Sequence, residues 1–419
     1  MYSFTQLYNT FYLFFCIIWP PLQMYYLGVD GAGRTILALS IPALLCNLLS
    51  VGEQKHILRS PAFICWTTLV AFSIINSLMK GYVSESGVLA FFKTNYIAPY
   101  IFFYVLILEL ERDYVNCLRI LFFALLTYIL LCLGSMSIDD DERIVAEGLK
   151  NILPLHSTCL VFVGGLLYRE RNLSAVFFYS MVILAIAVTM LSGTRKALGA
   201  IIILLIGIII NNGDNETRSI GYYARLIFFF AILYWGIGFI MDNTLIGSRL
   251  ASTAEQSTVE LVENKNVNIV LNTILGDRAI QYELGYLTFL QHPWTGIGLT
   301  NFISVTGYPY RLHTEYMTQL CENGIIGFLL LILFYFLLIG KLFVNHKKYG
   351  DDITIVMFGL FAILFINITA WTYCTIFGMI YYAIILNHAY SGDYDIEEQE
   401  FDDLEEDEEE EEKKAIPTL

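Results

Sequence analysis

Apolar blocks of about 18 or more residues, each long enough to cross the roughly 30 Å hydrocarbon layer of a bilayer, recur along this chain almost to its end. No other feature restricts the fold so tightly. The composition agrees with it: 57% of the residues are hydrophobic and only 15% charged, against about 45–50% and about 25% for a soluble domain. The fold class expected is all-α, a polytopic transmembrane helical bundle.

Apolar blocks between polar breaks place about twelve spans, near 11–28, 35–51, 62–79, 95–110, 117–135, 152–168, 174–192, 197–211, 222–241, 324–344, 353–371 and 373–388. Lysine and arginine then assign the sides, because cytoplasmic loops are enriched in both. With the N-terminus inside, the inner loops hold Lys55 and Arg59, Arg112 and Arg119, Arg169 and Arg171, Arg218 and Arg225, and Lys341, Lys347 and Lys348. The outer loops are mixed or acidic, as in the DDDER segment that ends at Arg143. An even span count returns the C-terminus to the cytoplasm.

The domains follow from this. Residues 1–392 form the multi-span membrane domain. Residues 393–419 begin with DYDIEEQEFDDLEEDEEEEE, which supplies most of the net charge of −15. A block of like charge repels itself and buries nothing, so this is expected to be a disordered, solvated cytoplasmic tail with no affinity for nucleic acid. The eight cysteines are scattered, mostly inside apolar blocks, and read as small buried hydrophobes rather than a disulfide frame or zinc site. The first apolar block lacks a basic leader and precedes further spans, so it is not read as a cleavable signal.

The long outer loop, 242–312, stands apart, and loops of such length in a compact protein are usually functional. It contains GDRAIQYELGYLTFLQHP, in which Asp277 is placed to cap a helix that the His292–Pro293 pair stops. Ile280, Leu284, Leu287 and Leu290 recur at helical spacing, which predicts an amphipathic helix on the outer membrane surface.

Three polar clusters fall on that outer side: SGTRKALG at 192–199, GDRAIQYELG at 276–285 and RLHTEYMTQLCENG at 311–324. Any one arginine near a bilayer is explained by snorkelling. Arg195 with Lys196, Arg278 and Arg311 together, on the side that should be poor in positive charge, point to a bound anion. A guanidinium suits a diphosphate because its planar fork donates two hydrogen bonds at once. His313, at the entrance to a span, is a neutral base at pH 7 able to take a proton from a hydroxyl. Glu315, two residues on, is placed either to orient His313 and contact substrate or to cap the helix. The acidic run Asp139, Asp140, Asp141 and Glu142 is read as a solvated loop rather than a metal site. TGIGLTNF lacks the lysine and the strand–helix context of a nucleotide loop. Asn76, Lys93 and Asn367 interrupt the spans without forming the chain of carboxylates expected of an ion-coupled transporter.

At these residues the sequence resembles the O-antigen ligase and Wzy polymerase superfamily of bacterial membrane glycosyltransferases. The resemblance rests on SGTR ending one span, GDRAIQYELG after the polar loop, HPWTGIGLTNF, and His313-Thr314 followed, after nine intervening residues, by Gly324. The last spacing is similar to the family's His-[Asn/Ser/Gln]-x9-Gly signature, with Thr314 departing from the usual second residue. The motifs cover roughly residues 180–340.

The resemblance implies an enzyme of the bacterial inner membrane, with its site on the periplasmic side. It implies a glycan donor carried on undecaprenyl diphosphate, an acceptor that is either lipid A–core or another lipid-linked glycan, and no metal or cofactor. Carried over by motif, Arg195 and Arg278 bind the diphosphate and His313 is the base; Arg311 is added on charge and position alone. The leading expectation is an O-antigen ligase working by a His-assisted single displacement. The alternatives are a Wzy-type polymerase joining lipid-linked repeat units, a lipid-linked sugar flippase or transporter, and a scaffold protein.

Overall fold

The computed structural model of the protein describes residues 4–27, 32–49, 56–80, 96–138, 144–146, 152–211, 277–349, 353–373 and 375–390. Among the described residues the regular elements are helices apart from one short antiparallel strand pair. Helix α1 spans Phe4–Pro21 and continues as a π-helical turn, Leu22–Leu27. Then come α2 (Ala32–Leu49), the short α3 (His56–Arg59), α4 (Pro61–Lys80), α5 (Ala98–Arg112) and α6 (Tyr114–Leu133). Strands β1 (Met136–Ile138) and β2 (Ile144–Ala146) pair antiparallel, Ser137 opposite Val145. Next are α7 (Leu153–Arg169), α8 (Ala175–Leu191) and α9 (Arg195–Asn211). After the gap come α10 (Asp277–Gln291), the short α11 (Phe302–Thr306), α12 (Glu315–Tyr349), α13 (Thr354–Asn367) and α14 (Ile376–Tyr390).

Every expected span except 222–241 coincides with a helix; that block, the acidic run at 139–142, Lys93 and the tail lie outside the described residues. By length and apolarity, Pro61–Lys80, Tyr114–Leu133 and Glu315–Asn345 are long enough to cross a membrane, while four further apolar helices are shorter. The strand pair is a departure from an all-α reading, small enough to leave the architecture helical.

Local chemistry sets the helix ends. Prolines at 20 and 21 remove two backbone donors, and α1 widens into its π turn immediately after them. Proline opens α4, and the Ser60 hydroxyl accepts from the Phe63 N–H at 3.2 Å. Asp113 closes α5 through its own N–H to the Glu109 carbonyl (2.9 Å) and caps α6 by accepting from the Asn116 N–H (3.1 Å).

The interior is aromatic with polar inserts. Trp66 of α4 lies 4.6 Å, 4.9 Å and 5.3 Å, ring centre to centre, from Phe334, Tyr382 and Tyr373. Beside it the Asn367 amide donates to both Tyr335 (2.7 Å) and Tyr382 (3.1 Å), and Tyr335 and Tyr382 share a 3.0 Å bond. The Asn367 side-chain oxygen Oδ1 accepts from the Thr372 hydroxyl. Buried polar groups are kept paired because an orphan costs about 1–3 kcal/mol.

Contacts sort to two ends of the bundle, as the alternation of spans requires. At one end the His56 N–H donates to Glu111 (3.0 Å), Arg119 to Asn172, and Asn345 to the Ala389 carbonyl (2.8 Å). At the other, Asn76 and Ser77 at the close of α4 meet the 295–299 loop, and Lys196 meets the turn after α13.

Candidate active site

The site is organised by a break in α12. At Gly324 the backbone takes φ 65° and ψ −165°, which is not helical. An unbroken helix would pair the Ile325 and Ile326 N–H groups with the carbonyls of Cys321 and Glu322. Instead Ile325 donates to the Pro293 carbonyl (2.8 Å) and Ile326 to that of Trp294 (3.3 Å). The two released carbonyls accept from Ile297 (3.0 Å) and Gly298 (2.8 Å). The HPWTGIG loop therefore inserts into the helix and satisfies all four groups that the break exposes.

Two glycines make this approach feasible. A methyl on Gly324 would lie 2.4 Å from the Trp294 carbonyl carbon and oxygen; one on Gly296 would lie 2.5 Å from the Cys321 oxygen. Both have positive φ, which costs a side-chain-bearing residue about 1–2 kcal/mol. Asn76 secures the insertion, its amide donating to Thr295 (2.6 Å) and Glu322 (3.4 Å) carbonyls, and Ser77 accepts from the Leu299 N–H at 2.7 Å.

The segment before the break is helical, which moves the start of α12 from the expected 324 back to Glu315. Its polar side chains are not at an open mouth. Glu315, Gln319 and Asn323 are fully buried and form a ladder one turn apart, Asn323 donating to Gln319 (2.7 Å) and Gln319 to Glu315 (3.1 Å). The other Glu315 oxygen accepts from the backbone N–H groups of Thr372 (2.8 Å) and Tyr373 (2.7 Å).

Ahead of Glu315 the chain is extended, and exposure alternates as it does along a strand: Leu312 and Thr314 are buried, Arg311 and His313 exposed. Arg311, expected on charge alone, thus shares the outward side of this segment with His313. On α10 the packing face is Gln281, Leu284, Gly285 and Thr288, not the full apolar series; Ile280, Leu287 and Leu290 are about half exposed. A methyl on Gly285 would come within 2.8 Å of Met317, so α10 lies directly on the front of α12. Helix α10 begins at Asp277 itself, and the Arg278 side chain lies outside the described residues.

Arg195 opens α9 after a tight turn. Gly193, at φ 64°, donates to Met190 (3.1 Å) while Thr194 donates to Thr189 (3.3 Å), the paired bonds that end a helix through a left-handed glycine. This reversal sets Arg195 and Lys196 on the first turn of α9, where the helix dipole is positive and favours an anion.

All three polar clusters reach one place, the turn after α13. Lys196 donates to the Thr369 carbonyl (3.3 Å), Tyr282 of α10 to that of Ile368 (2.7 Å), and Thr314 to that of Asn367 (3.5 Å). Sequence reasoning singled out the clusters but not this meeting point. Tyr282, Gln319, Thr372 and Tyr373 gave no signal, and Asn76 showed only as a polar interruption in a greasy span.

The molecule defined here is a helical membrane protein in which a residue from each of three polar clusters bonds to the chain where α13 ends. A family model described as O-antigen ligase matches residues 180–332, the stretch that carries those motifs, and so supports the resemblance to the O-antigen ligase and Wzy superfamily. A comparison with curated proteins returned no match.

Proposed function

We propose that this protein is an O-antigen ligase-like glycosyltransferase of the bacterial inner membrane. In this reading it transfers a glycan from undecaprenyl diphosphate to a sugar hydroxyl of lipid A–core at the periplasmic face. The observation that carries the reading is the convergence of Lys196, Tyr282 and Thr314 on successive carbonyls of one turn. It supports a reading in which Arg195, Arg278, Arg311 and His313, which belong to the same three clusters, serve one site.

A polyprenyl chain lies in the bilayer, so its diphosphate arrives at the membrane surface. Arg195, on the positive end of α9, and Arg278 hold it there, with Arg311 beside His313. His313 accepts the proton of the acceptor hydroxyl. That oxygen forms a bond to the anomeric carbon as the bond from that carbon to the diphosphate oxygen breaks. The electron pair leaves on the diphosphate, and the arginines stabilise the growing charge. One displacement inverts the anomeric configuration.

The reading is tested by glycan gels from a cell lacking the protein, complemented with wild type or His313→Ala. Lipid A–core with no added glycan, and polymer retained on undecaprenyl diphosphate, is the result expected of a lost ligase. Lipid A–core capped by a single repeat unit would assign the polymerase reaction instead. A wild-type pattern with His313→Ala would overturn the catalytic assignment.

A further inference from the structure

The turn Ile368–Tyr373 lies beyond the residues matched by the family model, yet a residue of each of the three polar clusters, Lys196, Tyr282 and Glu315, bonds to it. Its backbone is held from two sides. Tyr282 and Lys196 donate to its carbonyls, and the Glu315 carboxylate accepts two of its N–H groups. Glu315 is fully buried and its oxygens are engaged by Gln319, Thr372 and Tyr373. A side chain so placed does not reach a substrate. The turn also holds two buried polar atoms with no hydrogen-bond partner among the described residues, the Thr369 hydroxyl and the Trp371 indole nitrogen. Native folds leave such atoms unpaired chiefly where function requires it.

We propose that this turn is a working wall of the active site, and that Glu315 is a positioning residue that locks it against the extended segment carrying His313. The inference rests on the glycosyltransferase reading for its catalytic consequence, but the lock itself can be tested without turnover. Glu315 joins the two parts because it begins α12 only two residues after His313 while its carboxylate holds Thr372 and Tyr373. Releasing the carboxylate frees the turn and the His313 segment to move apart, and displacement of a catalytic group by about 1 Å costs on the order of 100-fold in rate.

The test uses the full chain in lipid nanodiscs with undecaprenyl-diphosphate-linked glycan. Glu315→Ala is expected to lower kcat about 100-fold with donor KM little changed. Glu315→Gln, whose carbonyl oxygen still accepts both N–H groups, should restore most of that rate. Hydrogen exchange supplies the second readout: the Thr372 and Tyr373 amides should lose protection in Glu315→Ala and keep it in Glu315→Gln. Tyr282→Phe, a milder change that removes only the bond to Ile368, should speed exchange in the same turn. Unchanged protection in Glu315→Ala would overturn the lock. Lost protection with wild-type kcat would overturn the positioning role. A Gln variant as slow as Ala with full protection would assign the carboxylate a direct chemical role instead. Lost protection in a protein that turns over no lipid-linked glycan, wild type included, would sink the glycosyltransferase reading and leave the lock standing.

Discussion

Gly324 and Trp294 meet backbone to backbone, so closely that a single methyl on the glycine would lie 2.4 Å from the tryptophan carbonyl. The contact joins two motifs about thirty positions apart in the chain. It also explains their composition: one supplies the helix break, and the other supplies the loop that fills it.

Gly324→Ala should therefore be among the most damaging small substitutions in the chain. The positive φ alone costs about 1–2 kcal/mol, and the backbone overlap adds to it. We expect a large fall in melting temperature in detergent. The control is Gly340→Ala, farther along the same helix, where an added methyl meets nothing within 4 Å. It should be neutral or stabilise by up to about 1 kcal/mol, and equal losses for both would contradict the assigned role of the break.

Asn76→Leu keeps the branched side-chain shape, with somewhat more volume, but removes the donor shared by the Thr295 and Glu322 carbonyls. The Glu322 carbonyl keeps its bond from the Gly298 N–H, so the main loss is at the Thr295 carbonyl, and a buried carbonyl left unpaired costs about 1–3 kcal/mol. Ser77→Ala similarly strands the Leu299 N–H. Both are expected to lower thermal stability and to weaken each other's effect in the double variant, because they hold the same loop. Strict additivity would show that the two contacts act independently.

In the tyrosine cluster, Tyr335→Phe leaves Asn367 still bonded to Tyr382, so a cost of about 1 kcal/mol is expected. Asn367→Ala strips partners from Tyr335, Tyr382 and Thr372 together and opens a void, and should cost about 2–4 kcal/mol. Denaturation monitored by tryptophan fluorescence, with Trp66 in van der Waals range of the cluster, would rank the two; the reverse order would refute the network as drawn.

Arg195→Lys preserves charge on the first turn of α9 but replaces a planar fork by a point donor. Under the proposed chemistry, kcat/KM for the lipid-linked donor should fall about 10-fold, against about 100-fold for Arg195→Ala. Lysine equal to arginine would mean that charge alone matters there. His313→Ala should remove the general-base contribution, a factor of about 100 to 10,000, while the protein stays folded, because the exposed His313 side chain fills no part of the core.

The helical membrane architecture was legible because apolar runs of bilayer length leave the backbone few ways to satisfy itself. Caps at Ser60 and Asp113 and the glycine turn before Arg195 are local chemistry that the structure supplied. The stretch that carries the polar clusters was legible too, and the family match at 180–332 covers it.

What the linear chain could not give was the meeting of those motifs. The start of α12 at Glu315 depends on partners for its buried carboxylate at Thr372 and Tyr373, 57 and 58 residues away. The outward turning of Ile280, Leu287 and Leu290 depends on Gly285 pressing α10 against Met317. The sequence by itself determined which segments become helices and which residue types stand at their ends. Only the tertiary structure decided that a loop would enter a helix at Gly324 and that one turn would gather three motifs, because hydrogen bonds between distant segments form only after packing has brought them together.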